Sequence, residues 1–141
     1  MEPITALTHR YVMHGLGRAL HRSHHTQTRT AHGFEANDAF PVMFASVVVT
    51  GLAVGFNVPS WSVLVPVGVG ITAYGICYAL VHDVYIHRRV ALLGDRRIRV
   101  LDRLAAAHRS HHDLNGAPYG MLMPVRGRRN GSRPSHRPDE L

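Results

Sequence analysis

Between Ala39 and Val81 the chain carries no Asp, Glu, Lys, Arg or His. Those 43 consecutive, mostly apolar residues are enough for two membrane crossings of roughly 20 residues each. A mean hydropathy near zero hides them, because all 25 formally charged residues and all twelve histidines lie in the arms on either side. A buried soluble hairpin is the alternative, and the length of the stretch decides against it. The expected fold is therefore all-α: an integral membrane protein with a two-span hairpin whose arms carry further helices. Its 141 residues make a single domain by length, expected over residues 1–125. The basic tail 126–141, rich in Arg, Gly, Ser and Pro, is expected to be disordered.

Local signals place the hairpin's ends. Asp38 is a candidate N-cap for a first span over Phe40–Phe56, with Pro41 in its first turn, where a missing N–H costs little. Gly51 and Gly55 form a GxxxG that lets a neighbouring helix approach. Asn57 to Ser60, with Pro59, reads as a tight turn. The second span runs from Trp61, a residue suited to the membrane interface, to Val81. Pro66 either kinks it or marks where regular helix begins. Cys77, the single cysteine, sits in this span and reads as a small buried hydrophobe.

The basic charge comes from arginine alone. Residues 1–38 hold four Arg against three acids, residues 82–141 twelve against six, and the loop between the spans neither. That asymmetry puts both arms in the cytoplasm of a multi-pass protein and the short loop outside. A pI near 10.7 would by itself suggest nucleic acid, but no reading motif accompanies the charge, so no nucleic-acid partner is expected. MEPITALTHRY has no apolar core long enough for a signal peptide.

Ten of the twelve histidines repeat one pattern: His9, His14, His21, His24 and His25, then His82, His87, His108, His111 and His112. Each copy is H-x4-H followed by H-x2-H-H. Imidazole is the commonest metal ligand, and ten exceed what one tetrahedral zinc uses. Two six-coordinate metals could take all ten and keep an open position, which points to a dinuclear non-haem iron site and oxygen chemistry. The hairpin returns the chain to the side it left, so both copies meet at one membrane face.

Within H-x2-H-H at least two rings can reach one metal on a helix. Residues five apart diverge by roughly 140° on an α-helix. Either His9/His14 and His82/His87 serve different metals, or a π-bulge brings each pair together. His14, His21 and His25 would align on a continuous helix, but Gly15 and Gly17 loosen residues 5–25. A helix starting near Gly94-Asp95 carries Ile98, Leu101, Leu104 and Ala105 in a stripe that His108, His111 and His112 prolong, with arginines opposite. Asp83 and Asp113 either orient the preceding histidine or cap and stay exposed. His32 and His136 fall outside the pattern and read as ordinary loop and tail residues. No Glu-x-x-His pair of carboxylate-rich di-iron bundles occurs; Glu2 and Glu35 are the only glutamates near candidate helices.

THRYVMHG (8–15), HRSHH (21–25), FEAND (34–38), TAYG (72–75), VHDVYIHRR (81–89) and AHRSHH (107–112) together resemble the bacterial β-carotene 3-hydroxylases of the membrane fatty acid hydroxylase/sterol desaturase superfamily. The resemblance implies that the ten histidines hold two irons and that O2 is the co-substrate. It further implies hydroxylation of ring carbons of β-carotene to zeaxanthin through cryptoxanthin, with electrons from a reduced ferredoxin-type protein, since the chain has no room for a flavin or nicotinamide domain. The family's usual first span, just ahead of the first box, is expected to be missing, as eight residues precede His9. DLNGAPYGMLMPV, after His112, departs from the carotenoid enzymes in a region that could shape the substrate pocket. Alternatives are a fatty-acyl or sterol hydroxylase or desaturase of the same superfamily, or a non-catalytic membrane metal-binding protein. A transporter would place polar ligands within its spans, and these spans have none.

Overall fold

A computed structural model of the chain describes residues 1–26, 34–93 and 96–123. His32, Gly94-Asp95, His136 and the tail 126–141, on which expectations were placed, lie outside the described residues. Among those described, every regular element is helical. Helix α1 (Glu2–Thr8) runs into a π-helical stretch (His9–Leu16), and α2 (Arg18–Thr26) follows. Helix α3 (Ala39–Asn57) and α4 (Leu64–Ala79) form the hairpin; a π-helical stretch (Leu80–Ile86) prolongs α4, α5 (Arg99–Leu114) follows, and single 3-10 turns stand at Ala36–Asp38 and Pro59–Trp61.

Both hairpin helices are long and apolar enough to cross a membrane. Pro41 and Pro66 each sit in a first helical turn, where the backbone N–H has no intrahelical acceptor to lose; Pro66 thus marks a start and makes no kink. Val58 ends α3 in extended conformation, as the residue before a proline favours. The GxxxG expectation holds at one position only. A Cβ on Gly55 would stand 3.1 Å from the Val65 backbone nitrogen, whereas Gly51 has nothing within 4 Å. The reciprocal contact is Leu52 lying over Gly68. Cys77 is exposed on the outer surface of the hairpin, not buried, because two helices alone cannot enclose each other's sides.

Two helix starts differ from expectation. Asp38 does occupy the N-cap position of α3, but its side chain does not cap it. It accepts the Glu35 N–H at 3.0 Å and a two-bond fork from Arg89, each 2.7 Å. Helix α5 begins at Arg99, and the end of α4 supplies its cap: Ile98 N–H donates to the Tyr85 hydroxyl at 2.8 Å, which donates to Asp102 at 2.9 Å.

The interior reverses the usual order. Among the described residues, the buried apolar side chains are Phe40, Tyr85, Ala105 and Met121, while Glu2, Asn37 and six histidines are buried beside them. What α1, α2, the end of α4 and α5 enclose is imidazole.

Candidate metal centre

His9 and His14 stand on one π-helical stretch, and His82 stands on the other with His87 at its C-terminal cap. Here an N–H reaches the fifth carbonyl back, as His87 does to His82 at 2.9 Å and Gly17 to Val12 at 2.6 Å. The wider turn brings residues five apart into line, so the π alternative is the one observed. The first stretch breaks at Gly15 (φ −100°, ψ −107°), and Gly17 beyond it leaves room for the Phe40 ring. That bend, not a continuous helix, swings His21 and His25 back toward His14.

The histidines gather into two groups. His9, His14, His21, His25 and His111 place one ring nitrogen each within 4.8 Å of one another, and so do His24, His82, His87 and His108. His112 joins the second group through its Nε2, 2.8 Å from that of His108, and its ring stacks on His25 of the first at 4.4 Å. The two copies of the pattern therefore exchange one residue. On a helix the fourth residue on is turned roughly 40° one way and the third roughly 60° the other. His21 and His25 stay with their own group while His24 crosses; His108 and His112 stay while His111 crosses. All ten histidines picked out from the sequence are brought together.

Four of the rings have their outer nitrogen committed. The Nδ1–H of His9 donates to the Tyr119 carbonyl at 3.0 Å, that of His21 to Asn37 Oδ1 at 2.7 Å, that of His82 to Asp83 at 2.8 Å, and that of His111 to the Gly116 carbonyl. Asn115, in left-handed conformation after α5, turns the chain so that the Gly116 carbonyl comes back to His111. His24 Nδ1 lies 3.6 Å from Glu35, and Arg89 reaches Glu35 and Asp83 as well as Asp38. Of the two aspartates following box histidines, Asp83 orients its neighbour and Asp113 is exposed.

With Nδ1 protonated, the Nε2 of each of these four rings is a bare lone pair, and these face inward. His9 and His21 meet through Nε2 at 3.0 Å, His14 and His111 at 3.2 Å, His24 and His82 at 3.1 Å. Burial is the main cause holding His14 and His111 down at about 4 and His112 at about 3, and it pushes His9, His24 and His108 further down. Neutral rings whose lone pairs converge at such distances repel unless a cation lies among them. Adjacent nitrogens bound at ~2.1 Å stand ~3.0 Å apart around a six-coordinate ion and ~3.4 Å apart around a tetrahedral one. The donor set fits two metal ions of the first kind.

Several functional residues escaped the sequence reading. Asn37 and Glu35 lie in FEAND, where three polar side chains ahead of an apolar span were a usable signal. Tyr119, whose ring packs against those of His9, His14 and His111, and the Gly116 carbonyl gave none, since a backbone acceptor leaves no trace in side-chain identity.

The chain was compared with known proteins. Residues 3–129 match the family model described as fatty acid hydroxylase. Over 116 residues, 82% of this chain, it is 46% identical to a β-carotene hydroxylase of Pseudescherichia vulneris and 41% identical to one of Pantoea ananas. It is 37% identical over 117 residues to the β-carotene hydroxylase of Paracoccus sp. (strain PC1), covering 70% of that protein. The chain spans 64% of the length of the first two relatives. No solved structure matches. The family match runs through all ten clustered histidines, and the chain belongs to the fatty acid hydroxylase family.

Proposed function

We propose that this protein is a membrane non-haem di-iron monooxygenase that hydroxylates the β-ionone ring of β-carotene, giving cryptoxanthin and zeaxanthin. The observation that carries the chemistry is the pair of neutral imidazole groups with converging lone pairs, in which His9, His14, His21, His25 and His111 would hold one iron and His24, His82, His87, His108 and His112 the other. Similarity to proteins named β-carotene hydroxylases supports the carotenoid over a fatty-acyl or sterol substrate. Bound there, two irons would supply the activation of O2 that no side chain can provide. The balance is C–H + O2 + two electrons + two protons to C–OH + H2O.

The residues of the chain do the rest. Burial keeps His9, His14, His24, His108, His111 and His112 unprotonated at neutral pH, and the acceptors at Asn37, Asp83, Tyr119 and Gly116 fix which nitrogen of their partner rings faces inward. The hairpin holds the site at one end of the spans, where a lipid-soluble substrate can reach it from the bilayer. The arginine asymmetry supports the cytoplasmic face. Exposed Arg96, Arg97, Arg99, Arg103 and Arg109 offer an acidic ferredoxin-type donor a complementary surface.

Expression in a β-carotene-producing host tests this reading. Hydroxylated carotenoids are expected with the chain and absent with His111→Ala. No new pigment from folded, iron-loaded protein would sink the carotenoid assignment, and one zinc per chain in place of two irons would sink the oxygenase class.

A further inference from the structure

Glu2 is 7% exposed, an unusual place for a carboxylate without a partner, and its side chain has four donors. One oxygen accepts the successive backbone N–H groups of Met121, Leu122 (2.9 Å) and Met123 (3.1 Å). The other accepts the hydroxyl of Tyr74, on α4. Successive N–H groups converging on one oxygen make an anion-binding nest. The nest belongs to the segment that leaves α5, residues 115–123, which has neither helix nor strand of its own. Met121 in its middle is 2% exposed, so the segment is seated in the protein.

Two residues before the nest stands Tyr119. Its carbonyl accepts the His9 Nδ1–H, and its ring packs against three rings of the first histidine group. His9 lies on the same helical run as Glu2, seven residues on, or about two turns. One run of chain thus carries both the histidine and the carboxylate that seats the histidine's acceptor.

We propose that Glu2 is a positioning residue of the first histidine group. Its carboxylate pins residues 121–123 against α1 and Tyr74, which sets the Tyr119 carbonyl where it fixes the ring orientation of His9. The proposal rests on the reading of the histidines as metal ligands and concerns one metal position out of two. A general structural role would weaken both positions; a positioning role weakens one.

The test is a titration of the full chain in detergent with Co2+, reading the two bound ions by ligand-field absorbance. Glu2→Leu removes every acceptor and is expected to lower affinity at one position by about 100-fold, leaving the other unchanged. Glu2→Gln keeps an acceptor for the N–H groups but loses the charge and reverses the Tyr74 hydrogen bond, the amide now donating to the hydroxyl, and is expected to lose about tenfold at the same position. Glu2→Leu combined with His9→Ala is expected to bind no more weakly than His9→Ala alone. Wild-type binding at both positions in Glu2→Leu, equal weakening of both, or additive loss with His9→Ala would overturn the proposal. Should Glu2→Leu fail to fold, unchanged binding in Glu2→Gln overturns it instead. A wild-type chain that binds no pair of ions sinks the metal reading as well, whereas a loss of carotenoid activity alone bears on substrate only.

Discussion

Four rings of the centre are oriented by an acceptor at Nδ1, and burial sets when several of the histidines take up protons, which pH exposes. In the unfolded chain these rings take up protons below about pH 6.5. In the folded, metal-free protein burial keeps His14 and His111 neutral down to about 4 and His112 to about 3. Between those limits the unfolded state binds more protons, so stability must fall as pH falls through that window. The thermal midpoint of the metal-free chain in detergent is expected to drop steadily from pH 7 to pH 4.5, and a midpoint that held or rose would contradict the burial described. The ten histidines were legible because their number and repeated spacing had no other use. The residues that aim them were not. Asn37 is far from His21 along the chain, and Glu2 acts on His9 only through a segment more than a hundred residues away in sequence.

At the scale of elements, the end of α4 does two jobs: its π-helical stretch aligns His82 with His87, and Tyr85 caps α5. Removing the hydroxyl in Tyr85→Phe leaves the Ile98 N–H without its acceptor and is expected to cost about 1 kcal/mol, measurable as a lower midpoint in chemical denaturation with the two ions still bound. An unchanged midpoint would mean that the cap is dispensable. The hairpin could be read from the charge-free stretch, because a membrane span advertises itself by composition. The π-helical stretches could not be chosen over the α alternative, since the choice depends on where the partner histidines arrive. The start of α5 was misplaced for a related reason, as its cap is a tyrosine from another helix. The exchange of His24 and His111 between groups follows from helix angles, but only once α2 and α5 are known to face each other.

Among the described residues the hairpin is apolar on its outer surface, and what the arms enclose is polar. A chain with four buried apolar side chains among its described residues has little hydrophobic burial to hold its arms together. Ions that bind the folded form alone supply stability by mass action, about 4 kcal/mol each at a thousandfold excess over the dissociation constant. Chelation is accordingly expected to open the arms while leaving the hairpin in its detergent belt. Limited proteolysis should then cut α2 and α5 within the time that leaves α3 and α4 intact, and equal resistance with and without chelator would refute this. The inverted interior also governs how such a sequence can change over generations. On the outside of the hairpin any greasy residue of suitable length serves, so substitutions there can accumulate almost silently. On the proposed reading each position at the centre needs a ring nitrogen at one point in space, and no other side chain supplies it, so drift is confined to the surface that faces lipid.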